Sequence, residues 1–274
     1  MKKHLSTILL VLILVAGLSL LLYPTVADWW NDRHQTKTIA NYDQIMANMS
    51  DEDYSHLFEA AMEYNRALSK LDYPLMDHKD IPGYEELLNV SGNGVMGYVS
   101  IEKIGVRLPI CHGTDEAVLQ IAVGHVEGSS LPTGGAGTHC VLSGHRGLPS
   151  ARLFTDLDKL EVGDVFTLTV IDLTMTYQVD QILVVEPDDV EPLYTVAGED
   201  YCTLVTCTPY GINSHRLLVR GTRIENEKEL ADIRVTADAA LIEPVLVVTF
   251  VAAPILLVLF LYLVRPRKKQ ENEP

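Results

Sequence analysis

Cysteine and basic residues are both scarce in this chain of 274 residues. Four cysteines are too few to build a disulfide scaffold at this length. Lysine and arginine together number 21 against 37 aspartates and glutamates, which gives a formal net charge of -16 at pH 7. A chain with this charge repels phosphate backbones, so nucleic acid is not an expected partner.

Several motifs with well-defined chemistry are absent. The sequence has no HExxH, no CxxC pair and no GxxxxGKS/T, which argues against a zinc hydrolase and against a P-loop nucleotide enzyme. Glycine clusters at residues 92–94 and 133–137 lack the strand–helix context of a nucleotide site and are interpreted as turns. We therefore expect neither a metal nor a cofactor.

Charge is also absent from one long apolar run near each end of the chain. Residues 5–23 are long enough to cross a hydrocarbon core of about 30 Å. A cleaved signal peptide is the alternative, but the run is long for one. Residues 244–264 form the second run, for which a buried core helix is the alternative. Basic residues flank both runs on their outer sides, which predicts two membrane spans with cytoplasmic tails at residues 1–4 and 265–274.

Residues 28–84 are predicted to be a helical and lid region outside the membrane. Apolar residues recur at helical spacing through residues 31–71, and the spacing of Ser50 and Asp53 predicts a helix N-cap. Residues 72–83 contain two prolines and a glycine, which predicts an exposed loop.

From Gly97 onward, short runs rich in Val, Ile, Leu and Thr alternate with turn residues, a pattern typical of a β-barrel or sandwich. The predicted strands are Tyr98–Ile101, Val106–Ile110, Cys140–Leu142, Val165–Ile171, Thr176–Val185, Cys202–Thr206 and Leu217–Gly221. Glu116–Val123 is predicted to be a short helix between strands. Residues 226–243 are predicted to be a linker to the second span.

Cys207 is the cysteine best placed for chemistry, because a β-like run ends there and Pro209 and Gly211 then turn the chain. Cys202 lies five residues earlier and should point to the opposite face of the strand. By composition, Cys111, Cys140 and Cys202 are interpreted as buried apolar residues, and a Cys111–Cys140 disulfide remains open.

A cysteine nucleophile needs a base or a cation that favours the thiolate, and acyl transfer needs a donor at the developing oxyanion. His145 lies between two glycines that indicate tightly turned backbone. Arg216 follows Cys207 by nine residues, so a strand–turn–strand pairing would bring the two together. Arg220 has the same side parity, and spacing alone does not separate the two arginines.

The segment TLVTC at residues 203–207 resembles the TLxTC signature of sortases, and residues 206–221 resemble the pilin-assembling class C sortases in particular. Further segments that resemble this class lie at residues 93–98, 112–114, 124–132, 143–150, 153–157 and 185–189. The resemblance covers residues 85–225 and, more loosely, both apolar runs.

The resemblance implies a mainly β fold, an eight-stranded sortase-type barrel over residues 85–225 with N-terminal helices and a transmembrane helix at each end. It implies catalytic roles for His145, Cys207 and Arg216, the last in preference to Arg220. The implied reaction cleaves an LPXTG-like sorting signal of a pilin or other surface protein between Thr and Gly. The acyl group is then joined to a lysine amine of a second pilin, at the outer side of the cell membrane.

Class C enzymes usually carry a lid with an Asp-Pro-aromatic motif over the active site. Here Leu71-Asp-Tyr-Pro-Leu75 has the proline and the aromatic residue exchanged, so Asp72 and Tyr73 are the lid candidates. Asp72 would approach the basic cluster of His145 and Arg216, and Tyr73 would cover the sulfur of Cys207. Two other functions remain open: a membrane-bound cysteine protease acting on the same signal, and a non-catalytic surface scaffold.

Overall fold

The computed structural model describes residues 2–226. Its α-helices are α1 (Lys2–Met46), α2 (Asp51–Leu68), α3 (Pro74–Asp77) and α4 (Glu116–Leu119). The region that begins at Leu9 in α1 is apolar and long enough to cross a membrane, with a mean hydropathy of 2.5 over its most apolar window. This agrees with the predicted N-terminal span. The second predicted span, residues 244–264, and the predicted tail at 265–274 lie outside the described residues.

A unit that begins at Ala27 contains the barrel, and the residues up to Val26 belong to a separate unit. The eight strands described are β1 (Val95–Ile101), β2 (Val106–His112), β3 (Val123–His125), β4 (Thr138–Ser143), β5 (Val165–Val170), β6 (Leu173–Val185), β7 (Asp200–Thr208) and β8 (His215–Ile224). They close into a barrel in the order β1-β2-β3-β4-β7-β8-β6-β5. The predicted eight-stranded barrel is therefore confirmed.

Two polar side chains fix the helices against the barrel. The hydroxyl of Tyr42 in α1 donates to the carbonyl of Met96 at 2.8 Å and accepts from the amide of Ile171 at 2.7 Å. In α2, the amide of Asn65 pairs with both backbone groups of Leu131. Since unpaired buried backbone groups are costly, each contact fixes the register of a helix on the barrel as well as its position.

The predicted N-cap is confirmed, since the hydroxyl of Ser50 accepts from the amide of Asp53 at 3.3 Å. The predicted helix over Glu116–Val123 is too long. Its last residue pairs with Ile110 as the start of β3, a three-residue strand that the sequence did not indicate. Residues 72–83 also differ from a plain loop, because they contain α3 and a 3-10 turn over His78–Asp80.

Candidate active site

Cys207 lies near the end of β7, on the face opposite the barrel core. Its side chain is partly exposed, whereas that of Cys202 is fully buried inside the barrel. The two cysteines therefore point to opposite faces, as the period of a strand requires. Strand β7 lies between β4 and β8, so a residue from either neighbour can reach the Cys207 sulfur.

Arg216 is the direct cross-strand partner of Cys207 in the antiparallel pair β7–β8. Directly opposed residues share one face of a sheet, with Cβ atoms about 5 Å apart. The Nη1 group of Arg216 donates to the carbonyls of Asn213 at 3.3 Å and of His215 at 3.2 Å. Within the described part of the chain its other guanidinium donors have no partner, so they remain available for a bound group.

Arg220 occupies the same face but its guanidinium is already engaged. It donates two hydrogen bonds to the carboxylate of Asp180, at 3.1 and 2.6 Å, and stacks 4.1 Å above the centre of the Tyr201 ring. The ion pair raises the pKa of Arg220 above its ordinary value. This geometry separates the two arginines, which sequence spacing does not.

His145 follows β4, which runs parallel to β7 with Ser143 opposite Val205. The pairing continues past the end of β4, because Gly144 donates to the carbonyl of Val205 and accepts from the hydroxyl of Thr206. His145 therefore follows directly on a residue that is bound to β7 just before Cys207. Of the predicted site residues, Cys207 and Arg216 are paired across two strands, and His145 lies on the turn that follows β4.

Gly144 and Gly147 flank His145 and Arg146, and each position requires glycine for a different structural reason. A Cβ on Gly144 would lie 2.6 Å from the ring of Phe154, so this position has no room for a side chain. Gly147 has φ +74, a left-handed conformation that favours glycine, and packs against the ring of Tyr210. Together they hold His145 on a tightly packed turn, as its sequence context predicted.

Arg146 is a site residue that the sequence reasoning missed. Its largely buried guanidinium forms an ion pair with Asp158, donates to the hydroxyl of Thr208 at 3.5 Å and lies 5.8 Å from the ring centre of Tyr210. It therefore links the His145 turn to the residues just beyond Cys207. The sequence feature that could have identified Arg146 is its position next to His145, between two glycines.

An apolar floor continues from this end of the strands along the outer face of the barrel. Val141, Val205 and Leu218 form a buried cluster of their own, separate from the barrel core. Partly buried apolar side chains from other elements pack against it, namely Val126, Leu183, Val185 and Leu193. The segment between β6 and β7, which contains Leu193, thus packs on this outer cluster.

The lid candidates lie elsewhere along this face. Asp72 lines a cavity of about 210 Å³ together with Ser130, His139 and Tyr194, and none of the three predicted catalytic residues lines it. In the described part of the chain Asp72 forms no ion pair, and the side chain of Tyr73 is 59% exposed. The expected contact of Asp72 with the basic cluster is therefore not formed in this structure.

Residues 72–83 are nevertheless docked on the barrel and not free in solvent. The carbonyl of Pro74 and the Cα of Leu75 pack so closely over Gly128 that a Cβ there would lie 2.5 and 2.7 Å from them. The Nε2 atom of His78 lies 3.2 Å from a carboxylate oxygen of Glu127. The segment is thus attached to the turn that follows β3.

The other three cysteines do not lie beside Cys207. Cys140 and Cys202 point into the barrel core, and Cys111 is half-buried on β2. All four cysteines are free thiols, and the neighbour of Cys140 is Cys202, not Cys111. The disulfide left open by the sequence between Cys111 and Cys140 is absent from this structure. No group of three potential metal ligands occurs within residues 2–226.

A thiol paired with a guanidinium, with an imidazole on the turn that follows the other neighbouring strand, suits acyl transfer. An imidazole can exchange a proton with a thiol, and a guanidinium can donate to an oxygen on which negative charge develops. No residue of this arrangement requires a cofactor for that chemistry.

Comparison with known proteins points to the same chemistry. The family model of the sortase domain matches residues 99–224. The crystal structure of sortase C1 from Streptococcus agalactiae is 51% identical, with a TM-score of 0.65, over 70% of this chain and 100% of that one. Sortase C from Streptococcus pneumoniae, studied for its pilin substrate specificity, is 41% identical, with a TM-score of 0.61, over 69% of this chain and 97% of that one.

A curated relative, sortase D of Bacillus subtilis, is 31% identical over 131 residues, which are 47% of this chain and 63% of that protein. The match thus spans less than two thirds of this relative, whereas the sortase C1 structure is covered along its whole length. The chain belongs to the sortase family of cysteine transpeptidases, and within it to class C, the pilin-assembling sortases.

Proposed function

We propose that this chain is a membrane-anchored transpeptidase that cleaves an LPXTG-like sorting signal between Thr and Gly and joins the acyl group to a lysine amine of another pilin subunit. The observation that carries the proposal is the direct pairing of Cys207 with Arg216, next to a turn that carries His145 and is bound to β7 through Gly144. The similarity to a sortase C studied for pilin substrate specificity supports the choice of substrate class.

In the first half-reaction, the thiolate of Cys207 attacks the threonine carbonyl of the signal. The unpaired donors of Arg216 stabilise the oxygen on which charge develops. The imidazolium of His145 protonates the departing glycine amine, and a thioester on Cys207 remains. The outer face above the buried cluster of Val141, Val205 and Leu218 is proposed as the groove that the extended signal follows to the sulfur.

In the second half-reaction, His145 removes a proton from the incoming lysine amine, which attacks the thioester and releases Cys207. Water at about 55 M competes for the same thioester, so the amine must gain from binding and orientation. A pilin subunit docked by its own surface supplies that gain. Partner recognition is therefore part of the catalytic step in this proposal.

The proposed organisation places the catalytic domain of residues 85–225 outside the cell membrane. The apolar part of α1 supports a membrane anchor on the N-terminal side. The orientation with both termini in the cytoplasm rests on the basic flanks in the sequence. The docked segment at residues 72–83, with Asp72 and Tyr73, is proposed as the lid that controls access along the groove.

The test is a reaction of the full-length chain with an LPXTG-like peptide and a pilin subunit that carries a candidate lysine. Mass spectrometry should find the peptide joined to the pilin through an isopeptide bond. Cys207→Ala should give no product, whereas the matched variant Cys111→Ala should retain it. Hydrolysis alone at saturating pilin would favour a cysteine protease. Failure of a thiol-reactive probe to label Cys207, with no product of either kind, would favour a scaffold.

A further inference from the structure

Two cysteines that the proposed reaction does not use lie side by side in the barrel core. Cys140 on β4 and Cys202 on β7 are Cα partners in the parallel pairing of these strands. Both side chains are buried, with 3% and 0% exposure, and both are free thiols. Both residues belong to the buried apolar core of the barrel.

The strand geometry suits a covalent bond between these thiols. Neighbouring strands lie about 4.8 Å apart, and disulfides span Cα–Cα distances of roughly 4.4 to 6.8 Å. Because directly paired residues of neighbouring strands point to the same side of the sheet, closing the bond needs no large movement of either strand. Cys111 offers no such partner, since β3 lies between its strand and β4.

We propose that Cys140 and Cys202 are a peroxide-responsive dithiol that closes to a disulfide and ties β4 to β7. The thiolate of Cys140 attacks one oxygen of hydrogen peroxide, which leaves a sulfenic acid on Cys140 and releases hydroxide. The sulfur of Cys202 then attacks the sulfenic sulfur and loses its proton, and the second oxygen leaves as water. In sum, two thiols and one peroxide give one disulfide and two waters.

The environment assigns different roles to the two sulfurs. Burial acts to raise the pKa of Cys140, but the neighbouring Cys202 and His125 outweigh it and hold that pKa below its ordinary value. Burial and the neighbouring sulfur both raise the pKa of Cys202. Cys140 is therefore the attacking thiolate and Cys202 the resolving thiol. Peroxide is close to water in size, but both sulfurs are buried, so the pair should react more slowly than the partly exposed Cys207.

The position of the pair gives the bond a consequence for the site. Cys140 lies on β4, five residues before His145 on the turn that follows, and Cys202 lies on β7, five residues before Cys207. The disulfide would fix the register of the strands that carry both groups. This consequence rests on the proposed function, whereas the formation of the bond does not.

The experiment uses the full-length chain with Cys207→Ala, so that peroxide chemistry at the proposed nucleophile does not interfere. Before oxidation, the denatured protein should take up N-ethylmaleimide at its three remaining cysteines. After peroxide and removal of the excess by catalase, we expect one adduct, at Cys111, and a peptide pair linked through Cys140 and Cys202. Burial raises the pKa of Cys111 to about 11, which keeps it a slow-reacting thiol.

The matched control adds Cys202→Ala, with Cys140→Ala as the alternative if the first does not fold. Neither control should form a linked peptide pair. The thermal midpoint of the parent chain should rise by at least about 5 °C on oxidation and return on reduction, and the controls should show no rise. Three adducts after peroxide in the folded parent chain, a link to Cys111, or a lower midpoint on oxidation would each overturn the proposal.

Discussion

The sharpest prediction concerns the two arginines on β8. Arg216→Lys should lower kcat/KM while leaving stability almost unchanged. Arg220→Lys should lower stability while leaving kcat/KM almost unchanged. The reason lies in their contacts. Arg216 uses one nitrogen for two backbone carbonyls and has free donors opposite Cys207. Arg220 uses two donors on Asp180 and its flat face on Tyr201.

The expected magnitudes follow from these contacts. A lysine at 216 keeps the charge but loses the planar set of donors, and removal of one oxyanion donor lowers kcat by about 10²–10³. A lysine at 220 loses the paired hydrogen bonds and the ring contact, which together stabilise the fold by roughly 1–2 kcal/mol for a partly buried pair. That loss corresponds to a fall of about 3–6 °C in Tm for a unit of this size.

The assay measures the initial rate of peptide transfer to an amine acceptor and the thermal midpoint of each variant. Arg216→Lys should be at least about 100-fold slower at an unchanged midpoint. Arg220→Lys should remain within about fivefold of the parent in rate, because Asp180 and Tyr201 lie away from the reacting sulfur. If Arg220→Lys proved the slower enzyme, the assignment of Arg216 as the oxyanion donor would be wrong.

Four further predictions concern the thiol, its neighbours and the groove. Cys207→Ala should abolish peptide transfer to the amine acceptor at an unchanged thermal midpoint. Transfer product detected by mass spectrometry with this variant would show that Cys207 is not the nucleophile. Gly144→Ala should lower kcat/KM by about tenfold or more, because a methyl group there displaces the turn that carries His145, the proposed proton donor; unchanged kinetics would show that the turn absorbs it. Burial lowers the pKa of His139 below its ordinary value of 6.5, so the stability measured by urea unfolding should be full above pH 6.5 and fall as the pH decreases further; His139→Gln should flatten this dependence, and an unchanged slope would contradict it. Asp72→Ala or Tyr73→Ala should speed alkylation of Cys207 if residues 72–83 gate the groove, whereas equal rates in both variants and the parent would make the segment a linker.

The sequence by itself determined the features that depend on neighbouring residues. The helices, the Ser50 cap and most strands follow from local periodicity and capping. The opposite orientations of Cys202 and Cys207 follow from the two-residue period of a strand. The sortase resemblance also rests on short contiguous motifs, which is why the barrel and the family could be predicted.

Tertiary structure decided the features that depend on pairing between distant segments. The three-residue strand β3 forms through pairing with other strands, as Val123 pairs with Ile110 of β2. The parallel pairing of β4 with β7 joins residues 62 positions apart and sets Cys140 beside Cys202. Sequence spacing did not distinguish Arg216 from Arg220. The structure distinguishes them, because the guanidinium of Arg220 is paired with Asp180. Such contacts depend on how the barrel closes, and local periodicity carries no information on that closure.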